Sequence, residues 1–240
     1  MNRLHRILHV ALPLVALTAC GDPEAEDCED RTWTCSELQA VFADGAGNYS
    51  VSCNDSADTF TLTSTGVPDY TSNQSTPNSI GTQNWTVVFP KSLSCASSAE
   101  DVTGSRGEVG FTVNGLPFYG PEDALGRDAI VYEGPTMDDC EGHADQSCTY
   151  HHHSEPVCVF GTSTQVMDLA DSDDHPPVVA LSGDGYPVYG VDPAGPSLDD
   201  CNGHNHDDYG YHYHMTDDYP YTIGCYAGED RMSATRSGGC

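Results

Sequence analysis

The chain has 240 residues, 37 Asp and Glu against 8 Lys and Arg, a formal net charge of -29 and 11 cysteines. Such a surface repels nucleic acid and anionic lipid and attracts cations. The length suits one large β-rich domain or two small ones, and the cysteine content suits an oxidising compartment.

Residues 1–20 read as a bacterial lipoprotein signal. Arg3, His5 and Arg6 form a basic start, and "ILHVALPLVAL" (7–17) is too short to span a bilayer. The run ends Leu17-Thr18-Ala19-Cys20, similar to a lipobox, so Cys20 is the expected lipidation site and first mature residue. Gly21 after it resembles the outer-membrane sorting pattern. Residues 21–30, "GDPEAEDCED", read as an acidic tether. With Cys20 lipidated, ten cysteines remain, enough for five disulfides. No CxxC pair occurs anywhere, which argues against thiolate metal sites.

From 31 onward the pattern predicts an all-β, turn-rich, disulfide-stapled fold. Short β-type runs ("YSVSC", "TFTLTST", "NWTVVFP") alternate with Gly, Pro, Asn and Ser clusters. Helical periodicity is confined to "CSELQAVFA" (35–43). One domain is expected over 31–226, followed by a tail at 227–240, with the N-terminal third adding strands to the same sheet system.

Within this domain lies an internal repeat, 109–160 and 179–226, which predicts a pseudo-twofold pair of β units. "VGFTVNGLPFYG" (109–120) matches "VALSGDGYPVYG" (179–190). Asn114-Gly115 and Asp184-Gly185 predict two-residue type I′ hairpins. Pro117 and Pro187 predict edge strands or bulges. Further on, Asp138-Asp139-Cys140-x-Gly142-His143 and Tyr150-His151-x-His153 recur 61 residues later as Asp199-Asp200-Cys201-x-Gly203-His204 and Tyr211-His212-x-His214. The hairpins are offset by 70 (Gly115 to Gly185), so the first unit has nine extra residues, in a segment that includes "EDALGRDAIVYEG".

The histidines carry the chemistry. Beyond the signal there are nine, all between 143 and 214. On a strand, positions i and i+2 share a face, so His151 pairs with His153 and His212 with His214. His143 and His204 are expected to return from the preceding loop over that face, helped by a sharp turn at Gly142 and Gly203. Three imidazoles per unit suit copper or zinc, with copper first. Asp138, Asp139, Asp199 and Asp200 either accept the far N–H of a ligating histidine or shape an Asx-type turn. Tyr150, Tyr211 and Tyr213 face the core. His152 is expected to be exposed, His206 solvated and His175 a linker residue. Disulfides are expected at Cys140–Cys158 and Cys201–Cys225, stapling the histidine segments. Cys148 aligns with Tyr209, leaving Cys28, Cys35, Cys53, Cys95 or Cys240 as its partner.

"DDCNGH" followed by "GYHYHMTDDYPYTIGCYAG" resembles the YHYH protein family, and the resemblance extends over roughly 61–226. The first unit departs from it with YHHH (150–153), and Tyr70 stands where the family has His after Pro-Asp. The resemblance implies a secreted or surface-anchored protein.

Three functions follow. The first is a metal-binding lipoprotein that sequesters or delivers copper, with zinc second, and whose partners are metal ions and, through Cys20, a membrane. The second is an extracellular metalloenzyme with Asp139 or Asp200 as base, although no HExxH motif or nucleophile elbow is present. The third is a calcium-stabilised adhesion module using the acidic loops "DLADSDDHPP" (168–177) and "HNHDD".

Overall fold

The computed structural model describes residues 28–43, 47–160, 175–193, 195–206 and 209–240. The signal segment with Cys20, most of the 168–177 loop and the end of "HNHDD" lie outside the described residues.

The chain is mostly β. In order, it forms β1 (Arg31–Thr32), α1 (Cys35–Ala43), β2 (Tyr49–Cys53), β3 (Thr59–Ser64), β4 (Trp85–Pro90), β5 (Ser92–Leu93), β6 (Cys95–Asp101), β7 (Glu108–Thr112) and β8 (Pro117–Tyr119). There follow α2 (Ala129–Glu133), β9 (Gly142–Ala144), β10 (Tyr150–His152), β11 (Val178–Ser182), β12 (Pro187–Tyr189), β13 (Gly203–His206), β14 (Gly210–His214), β15 (Cys225–Gly228) and β16 (Ser233–Thr235). Thr34 and Glu37 start α1 as a capping box: the Glu37 N–H donates to Thr34 Oγ1 at 3.2 Å and the Thr34 N–H to Glu37 Oε2 at 2.7 Å.

The principal sheet has eight strands in the order β13-β14-β12-β11-β7-β8-β10-β9. Read from its centre outward, each half presents the same sequence of elements. β7 and β11 pair antiparallel at the middle, and the two histidine-bearing strand pairs occupy the two ends. β8 lies parallel to β10, and β12 parallel to β14.

A second sheet, β16-β4-β3-β2, packs on this centre. Its alternating burial puts Phe60, Leu62, Val87 and Phe89 inward. Trp85 meets the Phe111 ring edge-on at 5.3 Å, and Phe89 stacks on Phe60 at 5.1 Å. The N-terminal third was expected to extend one sheet system; it forms a separate layer over a shared core. The segment expected as a tail supplies β16, paired to β4, and ends in Cys240, which is bonded to Cys148. Cys28, within the expected tether, is bonded to Cys95.

The hairpins differ from the expected type I′ turns. Gly115 N–H donates to Thr112 O, and Thr112 N–H to Leu116 O. The loop therefore has three residues, with Gly115 left-handed at φ 81°. Gly185, at φ 89°, repeats this between Ser182 and Tyr186. Pro117 and Pro187 begin strands that are interior to the sheet, not at its edge. The register slips sit opposite, between Glu108 and Gly110 on β7 and between Val178 and Ala180 on β11. Proline is tolerated at the first residue of a strand, where no ladder donor is lost.

Candidate metal centres

The ligand strands are set by a repeated turn. Asp138 accepts from the Cys140 N–H at 2.9 Å and the Gly142 N–H at 3.1 Å, and Asp199 accepts from Cys201 and Gly203 at 2.9 and 2.8 Å. The Tyr150 hydroxyl donates to Asp138, and the Tyr211 hydroxyl to Asp199 at 2.8 Å. Of the two roles open to these aspartates, the turn-shaping one is present, and no ligating histidine donates to Asp138 or Asp199. Asp139 accepts instead from Asn73 at 3.0 Å. Asp200 has its carbonyl packed near Gly224.

The sharp bend falls on Glu141 (φ 60°) and Asn202 (φ 64°), not on the glycines after them. Gly142 and Gly203 serve a different need. A Cβ there would run into the Tyr150 or Tyr211 ring on its way to the aspartate. Cys140–Cys158 and Cys201–Cys225 are both formed, closing the turn at each end.

His143 and His204 reach the site from strands, where a loop was expected. His143 lies directly opposite His151 across β9–β10, and His204 opposite His212 across β13–β14. His153 and His214 follow two residues on, on the same face. Each unit therefore gathers three imidazoles by cross-strand pairing alone.

In the second unit the three Nε2 atoms lie 3.0 Å (His204–His212), 3.2 Å (His204–His214) and 3.1 Å (His212–His214) apart. A fourth imidazole joins them: His175 Nε2 is 3.2 Å from His212 Nε2. His175 was expected to be a linker residue; it is buried and part of the cluster. Three of the far nitrogens are engaged with carbonyls: His212 Nδ1 with Gly210 O at 2.8 Å, His214 Nδ1 with Gly190 O at 3.0 Å and His175 Nδ1 with Pro176 O at 2.9 Å. A carbonyl oxygen only accepts, so each Nδ1 carries the hydrogen. In a neutral ring the Nε2 is then a bare lone pair. Burial and the neighbouring imidazoles favour the neutral form, holding His212 down to about 3 and His214 to about 4. Mutually facing lone pairs at 3.0–3.2 Å repel, and a cation between them removes the repulsion. A tetrahedron with metal–nitrogen bonds of 2.0–2.1 Å has edges of about 3.3 Å, close to the four separations above.

In the first unit, His151 Nε2 and His153 Nε2 are 3.1 Å apart. Their Nδ1 atoms donate to Thr149 O (3.0 Å) and Gly120 O (2.7 Å). The Thr136 hydroxyl donates to Glu133 O at 2.6 Å and accepts from His143 Nδ1 at 2.7 Å. His143 Nε2 is buried and has no hydrogen-bond partner. The Glu133 carboxylate stands 3.6 Å from both His143 Nε2 and His153 Nε2. Burial raises the pKa of Glu133 and lowers those of His143 and His151, and it holds His153 at about 4. His152, expected to be exposed, is fully buried on the opposite face, its Nδ1 donating to Glu141 O at 3.0 Å.

Neither His175, read as a linker residue, nor Glu133 was expected from the sequence at a metal centre. The residue equivalent to His175 in the first unit is Ser105, so the repeat gave no signal; its position inside the histidine-bearing region was the only hint. Glu133 ends α2, the helix formed by the extra segment of the first unit, which Asp128 caps by accepting from the Val131 N–H at 3.0 Å.

These features define an all-β, disulfide-stapled domain with two separate histidine clusters, each able to hold a metal ion. Residues 86–193 match the profile of the family described as YHYH protein. The match takes in the whole first cluster and ends before His204, short of the 61–226 over which the sequence resemblance runs. No curated protein and no solved structure matches the chain.

Proposed function

We propose that this is an exported, lipid-anchored metal-binding protein, held at the outer membrane through Cys20, that sequesters or delivers copper, with zinc second. The observation that supports this most is the convergence of the Nε2 atoms of His175, His204, His212 and His214: the last three lie 3.0–3.2 Å from one another, and His175 lies 3.2 Å from His212. Neutral nitrogen sites bind copper most tightly among divalent first-row ions. Four ligands in a tetrahedron also suit zinc. Calcium takes oxygen ligands and does not need imidazole. The acidic surface favours approach of any cation.

The test is elemental analysis of the untagged chain 21–240, prepared from the periplasm without chelators, beside the His212→Ala, His214→Ala double variant. Copper or zinc in the first, with a loss in the second, supports the reading. A wild type that takes up neither ion when both are offered overturns it. Calcium binding that survives the double substitution would favour the adhesion module.

A further inference from the structure

The two clusters share a frame but differ in how they are completed. In the second unit His175 supplies a fourth imidazole, and the Tyr209 ring stacks over it at 4.2 Å. In the first unit the equivalents are Ser105 and Cys148, the latter drawn away into its bond with Cys240. No fourth imidazole closes that side among the described residues. A cavity of about 660 Å³ opens there onto His143, His151 and His153, bordered by Tyr119, Glu133 and Asp145. That volume is within the range of small-molecule sites. Metal sites closed by four protein ligands are generally structural, whereas three ligands and an open position leave room for chemistry.

We infer that His143, His151 and His153 form an open metal centre that binds an exogenous small ligand, water or a molecule offering one oxygen or nitrogen donor, in competition with the Glu133 carboxylate, while the four-histidine centre is closed. This rests on the metal-binding reading above. Among the described residues, Glu133 is the only carboxylate within 4 Å of these ligand nitrogens, at 3.6 Å from two of them. At that distance it is too far to be a bonded partner of either nitrogen, and near enough to reach an ion seated between them. With Glu133 swung aside, the open position faces the cavity. Tyr119, stacked on His151 at 4.0 Å, forms the wall beside it.

The experiment uses the chain 21–240 loaded with Cu(II) and titrated with azide, followed by the azide-to-copper charge-transfer absorption. Copper content is measured on the same samples. Wild type is expected to hold two coppers and to develop the band. The His204→Ala, His212→Ala variant should keep the band with one copper, and the His151→Ala, His153→Ala variant should lose it. Glu133→Gln, on a partly exposed side chain, removes a competing anion and should tighten azide binding about tenfold or more. The inference is overturned if the band follows the four-histidine centre, or if Glu133→Gln leaves azide affinity unchanged. It is also overturned, with the metal-binding reading intact, if wild type holds one copper that only the His204→Ala, His212→Ala substitution removes. If no copper binds at all, both readings fall together.

Discussion

Phe111 and Leu181 occupy the same place in the two repeats and face each other as a registered pair across β7 and β11. The bonds on either side obey the same relation: Val113 N–H donates to Val179 O at 2.9 Å, and Gly183 N–H to Val109 O at 2.8 Å. A pseudo-twofold axis therefore passes through this pair. The two histidine clusters are placed at equal strand distance from it, five strand spacings from β14 to β10, or roughly 24 Å of sheet. At that separation neither cluster can contribute a ligand to the other, so two independent centres are expected, not one shared site.

Gly203→Ala is expected to destabilise the fold by about 1–3 kcal/mol, because the added methyl must displace the Tyr211 ring from its path to Asp199. Gly142→Ala should act likewise through Tyr150. Gly104→Ala, where a Cβ would meet only the Glu122 carboxylate at 3.8 Å, is the control. Urea unfolding of the three variants checks this; equal midpoints for all would refute it.

Replacing Cys201 and Cys225 together by serine opens a loop of 24 residues' separation, worth about 3 kcal/mol in the chain-entropy account. The metal content of the second centre should fall in parallel, since the disulfide anchors the turn that carries His204. A variant that unfolds earlier but keeps full metal affinity at 25 °C would separate the staple from the site.

Acid should weaken the metal-free protein over a defined window. His152, His153 and His214 are held at about 4 and His212 at about 3, all below the ordinary value of 6.5, because burial disfavours the charged ring. The unfolded chain then binds more protons than the folded one between these limits. Stability is present in full above pH 6.5 and is lost as pH falls toward 4, by up to about 1.4 kcal/mol per pH unit for each such histidine. Thermal melting of chelator-treated protein at pH 7, 6 and 5 measures this. A melting temperature that stays level across the series would show that the rings are not buried as neutral groups.

His175→Ala and His152→Ala should part company. The first removes a candidate ligand and is expected to weaken metal binding at the second centre by about a hundredfold or more, with little change in fold. The second leaves both centres their ligands but vacates a fully buried site, costing about 2–4 kcal/mol. Metal titration and urea unfolding on both variants give the comparison.

The sequence showed the class of fold and most of the cluster residues because strand chemistry has a period of two. His151 and His153 had to share a face, and the repeat carried the same face to His212 and His214. What it concealed came from outside that period. His143 and His204 read as loop residues because the strands β9 and β13 are only three and four residues long, too short to announce themselves. Pro117 read as an edge marker, yet a strand-initial proline loses no ladder bond. His175 reaches its cluster from a segment that has no histidine in the other repeat. Glu133 lies on a five-residue helix that exists in one unit only. The partner of Cys148 was hidden because the chain end returns across the sheet, a long-range closure that no local pattern records.

The placement of both clusters on the outermost strands has a mechanical side. β9 and β13 are the border strands, the place along which sheets join one another, and on β9 side chains cover the border: Gln74 accepts from the Ala144 N–H at 2.7 Å and Asn78 donates to the Ala144 carbonyl at 2.9 Å. An ion gripped between β13 and β14, or between β9 and β10, would act as a rivet at that border. The centre, locked by aromatic packing, has no need of one. Without such ions the molecule would be expected to fray from both rims inward.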